Sequence, residues 1–172
     1  MATDDKEIIN LIGRDPNGGF RQLMGKYQEA VYWHVRRMVV SHDDAQETFV
    51  RVYRSLRTYR GECSLRSWIY RIATNEALRV ISNRRQEMVS LDSESTGAEL
   101  IAAGDYVDYD NAVAVKFQKA ILTLQQLAFN LRYYDEMSFE EISQVAGTTP
   151  SSVKVSYHVA KDKIIAYMNS ND

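Results

Sequence analysis

Apolar side chains recur at helical spacing through most of this chain, and no stretch alternates in the manner of a half-buried strand. A short, weakly patterned helix is expected from Asp4 to Ile12. A long one follows from Gly19 to Val40, with Phe20, Leu23, Tyr27, Val31 and Val35 along one face. The next helix opens at SHDD, where Ser41 or Asp43 is placed to cap the free amides of the first turn. Its Ala45, Phe49, Val52 and Leu56 then run i, i+4, i+7, i+11, a stripe that faces a core. A fourth helix starts at Ser64, a suitable N-cap, and carries Leu65, Ile69, Ile72 and Ala73 to about Arg85. The loop TYRGEC lies between these two, broken at Gly61.

Residues 86–112 show no sustained periodicity and are rich in Ser, Thr, Asp and Gly, which predicts a mostly irregular linker. Beyond it the stretches Asn111 to Leu122 and Gln125 to Tyr134 are helical by pattern. In SFEEI, Ser138 with Glu141 three residues on reads as a capping box. Gly147 ends the short helix that follows, and Thr149 with Pro150 starts another that runs to about Met168. A short helix, a glycine turn and a longer helix form a helix-turn-helix, a pattern that suits DNA binding and a plain helical hairpin alike.

Composition narrows the class. The chain has 172 residues, 45% of them hydrophobic and 26% charged, which argues against disorder over its whole length. With eight Gly and two Pro it is poor in the residues of tight-turned β folds. Its one cysteine, Cys63, excludes an internal disulfide framework and a zinc site of several thiolates. No apolar run approaches the roughly 18 residues of a membrane span, and the first residues do not read as a signal peptide. The expectation is an all-α, cytoplasmic protein without membrane insertion. Charge is unevenly spread: residues 1–85 carry a net +5, 86–115 a net −7 with no basic residue, and 116–172 are neutral. That asymmetry predicts two domains, 1–85 and 111–172, joined by an acidic linker at 86–110.

Two sequence blocks carry a resemblance. DDAQETFVRVYRSLRTYRGECSLRSWIYRIATNEA resembles the second conserved region of bacterial sigma factors, and LRYYDEMSFEEISQVAGTTPSSVKVSYHVAKDKI resembles the fourth. With a short linker in place of the third region, the chain resembles the extracytoplasmic-function group. The resemblance implies a dissociable subunit that binds core RNA polymerase and directs promoter-specific initiation. In that family the second region docks on polymerase and opens the minus-ten element, and the fourth reads the minus-thirty-five element. Core polymerase and promoter DNA are the implied partners, with room for an anti-sigma factor; no cofactor is implied.

Carried onto this sequence, the resemblance makes Asp43, Asp44, Gln46 and Glu47 the face that contacts polymerase. Acids in a first helical turn also complement the helix dipole, so a capping role stands beside that one. Minus-ten recognition falls to Arg54, to the loop residues Tyr59, Arg60, Gly61, Glu62 and Ser64, and to Trp68, Arg71, Asn75 and Arg79 on one helical stripe. Holding an unpaired strand takes a pocket for a flipped base together with aromatic and cationic surfaces. For Trp68, core packing is the competing role, and for the arginines a solvated face. Ser151, Ser152, Lys154, His158 and Lys161 are the candidates for minus-thirty-five contact, while Val153 and Tyr157 read as core. The recognition helix departs from its relatives in having few basic residues, which predicts weak duplex binding, since phosphate contacts supply most non-specific affinity. In the linker, Asp105, Asp108 and Asp110 suit either a spacer or a mimic of phosphates.

No catalytic constellation is present in the sequence. His34, His42 and His158 lack metal-ligand spacing, and no phosphate loop or nucleophile elbow occurs. Three other readings remain at this stage: a stand-alone helix-turn-helix repressor, a protein-binding module, and a small helical enzyme. The first would bind duplex DNA without polymerase, and the last would need the constellation that is missing.

Overall fold

The computed structural model describes residues 4–39, 41–102 and 109–170. Among the described residues there are seven α-helices, one turn of 3-10 helix at Leu56–Thr58, and no strand. The helices are α1 (Asp5–Arg14), α2 (Pro16–Met38), α3 (His42–Ser55), α4 (Leu65–Ala102), α5 (Tyr109–Tyr134), α6 (Phe139–Ala146) and α7 (Pro150–Ser170).

The first three helices and the start of α4 bury the stripes read from the sequence. Leu23, Tyr27, Val31 and Val35 of α2 meet Ala45 and Val52 of α3, Leu56 beyond it, and Leu65, Ile69 and Ala73 of α4. Ser41 is the cap of α3, since its hydroxyl accepts from the Asp44 amide at 3.4 Å. Asp43 stays exposed in the first turn. α1 crosses α2 so closely that a Cβ on Gly19 would lie 2.6–2.7 Å from the side chain and backbone of Ile12. The Asp5 carboxylate ties the same pair, accepting from Tyr27 Oη at 2.8 Å and from Lys26 Nζ at 2.6 Å.

The C-terminal helices form a second layer. Leu127, Ala128 and Leu131 of α5 pack with Met137, Ile142 and Val145, and Val153 of α7 closes this group. The Ser138–Glu141 capping box is present, and Gly147 ends α6 at φ 69°, a left-handed conformation that glycine reaches without strain. α6 also rests on α4, so one hydrophobic cluster reaches from Ile8 to Val153.

The expectation of an irregular stretch at 86–112 is wrong. α4 runs unbroken to Ala102 and α5 begins at Tyr109. Likewise, the two helices expected on either side of Thr123 are one. Periodicity finds helices that carry an apolar stripe, but a helix already nucleated propagates without one, adding one hydrogen bond for each residue fixed. The chain's two prolines lie at 16 and 150, so none interrupts either helix. Of the three linker acids, Asp105 and Asp108 lie outside the described residues, and Asp110 belongs to the first turn of α5.

Candidate nucleic-acid interface

The loop between α3 and α4 is built around Gly61, whose φ of 78° lies in the left-handed region. Tyr59 turns its hydroxyl back to donate to the Cys63 carbonyl at 2.8 Å, which fixes the loop's width. Ser64 then starts α4: its hydroxyl accepts from the Ser67 amide at 3.1 Å and donates to the Ser67 hydroxyl at 2.9 Å. Of the loop positions expected to face DNA, Ser64 is therefore engaged in capping, and neither it nor Gly61 lines the cavity described next.

Behind the loop lies a cavity of roughly 440 Å³. Tyr59, Arg60, Glu62, Trp68, Arg71 and Asn75, all singled out from the sequence, line it together. Trp68 is 9% exposed and meets Tyr59 edge to face at 5.3 Å, so it serves the core and the cavity wall at once. Arg60, Arg71, Glu62 and Asn75 are exposed. Burial pushes the Cys63 thiol and the Tyr59 hydroxyl above their ordinary ranges, so both stay protonated and neither is a nucleophile at neutral pH. The wall combines aromatic faces, guanidinium groups, an amide and a carboxylate. That chemistry suits an unstacked base with its phosphates.

Arg54 and Arg79 are not part of this cavity. They lie in an adjacent cleft of roughly 240 Å³ with Glu47, Arg51 and Glu76. Arg79 makes a two-oxygen contact with Glu76, donating at 2.6 Å and 3.1 Å. Those hydrogen bonds hold the Glu76 carboxyl below its usual range, so it stays charged and partly neutralises the cleft. Three arginines against Glu47 and Glu76 leave this cleft with a net positive charge.

The expected polymerase face divides in the structure. Asp43, Gln46 and Glu47 are exposed, whereas Asp44 is half-buried and ion-paired to Arg84 of α4. Gln46 borders an open groove of roughly 780 Å³ between α2 and α3, floored by Phe20, Met24, Tyr32 and Phe49. Glu47 turns the other way, into the arginine cleft.

On α7, Ser151, Ser152, Lys154, His158 and Lys161 are all exposed. The Ser152 hydroxyl accepts from Thr149 at 2.9 Å within the cap of the helix. Val153 is fully buried, as expected, and Tyr157 is half-buried against Phe129 and Phe139. Among the described residues no group of three His, Cys, Asp or Glu side chains could hold a metal ion. No described helix is long and apolar enough to cross a membrane.

Several wall residues were not assigned from the sequence. Ser55, Thr58 and Ile72 flank positions that were, and Cys63 belongs to the loop itself, so proximity along the chain pointed to them. Gln144, which also lines the cavity, comes from α6, and no local signal places it there.

Residues 23–87 match the family described as Sigma-70 region 2, and residues 120–164 match Sigma-70, region 4. The RNA polymerase sigma-H factor of Pseudomonas aeruginosa is 27% identical, with 93% of this chain and 91% of that protein covered. The ECF RNA polymerase sigma-E factor of Escherichia coli is 26% identical, at 93% and 92% coverage. Among solved structures, CnrH in complex with the cytosolic domain of CnrY matches with a TM-score of 0.66 and 19% identity, covering 98% of this chain and 99% of that one.

Proposed function

We propose, because this chain belongs to the extracytoplasmic-function group of sigma-70 factors, that its first helices open the minus-ten element and its last helix reads the minus-thirty-five element. Membership itself makes the chain a transcription initiation factor that acts with core RNA polymerase and promoter DNA. The working division is 1–85 for docking and minus-ten recognition, 86–110 as linker, and 111–172 for minus-thirty-five contact, in a cytoplasmic protein.

The observation that carries the minus-ten reading is the cavity behind Gly61. Its volume falls within the roughly 300–1,000 Å³ of pockets that enclose a small ligand. A flipped base enters the cavity against the wall that Tyr59 and Trp68 form together, Asn75 and Glu62 offer partners for its polar edge, and Arg60 and Arg71 meet its phosphates. The neighbouring Arg51, Arg54 and Arg79 continue that cationic track along the strand. Capturing a base once it has unstacked blocks re-pairing, so melting needs no covalent chemistry and no cofactor. Docking on polymerase runs through Asp43, Gln46 and Glu47 and the groove beside Gln46. Asp44 joins them once Arg84 lets go. Since CnrH is held by the cytosolic domain of CnrY, an anti-sigma partner is part of the reading.

The test is open-complex formation by holoenzyme, followed through permanganate reactivity of unpaired thymines. Arg71→Ala is expected to reduce opening and to lower the salt slope by about 0.7–0.9, the loss of one phosphate contact. Normal opening by this variant across salt concentrations refutes the assignment of the cavity to DNA.

A further inference from the structure

We propose that α1 braces the loop that shapes the base cavity, and that Asp5 is a positioning residue for minus-ten recognition, acting through Tyr27. The inference rests on the minus-ten reading of that cavity. α1 touches the 3-10 turn at Leu56–Thr58, the segment that leads α3 into the loop. Ile8 of α1 is fully buried, and Leu56 of the turn, 2% exposed, belongs to the same hydrophobic cluster. Tyr59 follows the turn directly, and its amide donates to the Leu56 carbonyl at 3.3 Å. Thr58 and Tyr59 both line the cavity. One turn of backbone thus connects the helix at the back of the loop to the wall at its front.

The loop has little else to hold it. Its own ties are the Tyr59 hydroxyl on the Cys63 carbonyl and the Thr58 hydroxyl on the Ser55 carbonyl at 2.6 Å. At its outer edge, a Cβ built on Gly61 would meet nothing within 4 Å. The loop is therefore fixed from behind. A site that captures a flipped base gains from being held before the base arrives, because ordering it at that moment would subtract from binding.

Asp5 anchors the brace. Both of its carboxylate oxygens lie 2.8 Å from Tyr27 Oη, and Lys26 Nζ donates to Oδ1 at 2.6 Å. Burial, and then the hydrogen bond to Asp5, push the Tyr27 hydroxyl above its ordinary range, so it stays a donor. The same carboxylate reaches the loop electrostatically: burial first, then Cys63 and then Asp5 raise the Tyr59 hydroxyl. α1 is pinned at its first turn by Asp5 and near its end by the close crossing of Gly19 on Ile12. Ile8 lies between those two points, in the cluster that Leu56 shares. Releasing Asp5 frees the first turn of α1, lets the 3-10 turn shift, and loosens the edge-to-face setting of Tyr59 on Trp68.

The experiment uses the full chain in two arms. The two tryptophans are Trp33 and Trp68, and Trp33 is 53% exposed, so Trp33→Phe leaves Trp68 as the reporter of the cavity wall. Acrylamide quenching of the free protein reports access to Trp68, and permanganate reactivity reports promoter opening by holoenzyme. Asp5→Ala is expected to raise quenching about twofold and to lower opening about fivefold. Tyr27→Phe keeps the buried ring, loses the donor, and should match it; the double variant should be no worse than either, because both act through one contact. Asp5→Asn still offers Tyr27 an acceptor and should restore both readouts. Capture by core polymerase in a pull-down should be unchanged throughout. Parental quenching and opening in Asp5→Ala overturn the brace. Loss of capture in step with opening, or Asp5→Asn failing as badly as Asp5→Ala, overturns the positioning role, since general destabilisation would do the same. Raised quenching with normal opening upholds the brace and overturns the minus-ten reading of the cavity, so the two failures are told apart.

Discussion

His34 should make the stability of this protein depend on pH, and the size of the effect can be worked from its surroundings. The imidazole is 1% exposed on α2, shares a hydrogen bond with Thr74 Oγ1 through Nε2 at 2.8 Å, and has no partner for Nδ1. Burial, and then the Arg37 guanidinium, push it down to about 3 from an ordinary 6.5. The native state therefore stays neutral at pH values where the unfolded chain binds a proton. Stability is whole above the unfolded value and falls as pH drops from 6.5 toward 3. At pH 5 the unfolded chain gains about 1.5 pH units of proton binding, or about 2 kcal/mol at about 1.36 kcal/mol per unit. That is a large share of the roughly 5–15 kcal/mol typical of a folded domain. His34→Leu removes the titration and leaves the Thr74 hydroxyl free to bond the preceding helical turn. Urea unfolding at pH 8 and pH 5, followed by circular dichroism, should show the parent losing about 2 kcal/mol more than the variant. Titrating carboxyls such as Asp135 and Glu76 are common to both proteins and cancel in the difference. Equal losses would refute the argument that the buried imidazole must stay neutral.

Gly19→Ala is expected to cost about 1–3 kcal/mol, read as a fall in Tm, because the new Cβ meets Ile12 backbone that cannot rotate away. Gln46→Ala with Glu47→Ala should leave the helical content unchanged and weaken capture by core polymerase in a pull-down. Lys154→Ala should lower minus-thirty-five binding by holoenzyme. A phosphate contact would reduce the salt slope by about 0.9 on every promoter, and a base contact would cost about 1–3 kcal/mol at one position only.

The parts of this fold that announce themselves in the sequence are those governed by short-range rules. Leu23, Tyr27, Val31 and Val35 share a face because a helix repeats every 3.6 residues. Ser138, Glu141 and Gly147 mark the ends of α6 because caps need those side chains or that backbone freedom. The cavity residues were accessible for the same reason: Trp68, Arg71 and Asn75 fall on one stripe, and the loop before them is contiguous. His34 stands three residues after Val31, a spacing that puts it on the buried face, although metal-ligand spacing alone was weighed for it. Three features were not legible. The helix through 86–102 carries no apolar stripe to betray it. The closeness of Gly19 to Ile12 depends on a crossing angle, which sequence spacing does not encode. Gln144 and Asp135 reach α4 from the other half of the chain, and long-range placement leaves no mark on local pattern. The splitting of Arg79 from Arg71 belongs with these, since Glu76 draws the Arg79 side chain into the neighbouring cleft.

The α4–α6 contact joins two parts of a single molecule, and that alone alters how strong it must be. Surfaces tethered within one chain meet as an intramolecular event, at an effective concentration that the connection sets and the solution does not. Dilution does not separate them, and neither the copy number of the protein nor its rate of synthesis loosens the contact. Only a competitor does, and it must win against a neighbour that never diffuses away. The few polar contacts across the interface, such as Tyr70 donating to Asp135 at 2.6 Å and Arg66 reaching Glu141 at 3.4 Å, would go unnoticed between two separate proteins at micromolar concentration. Within one chain they suffice.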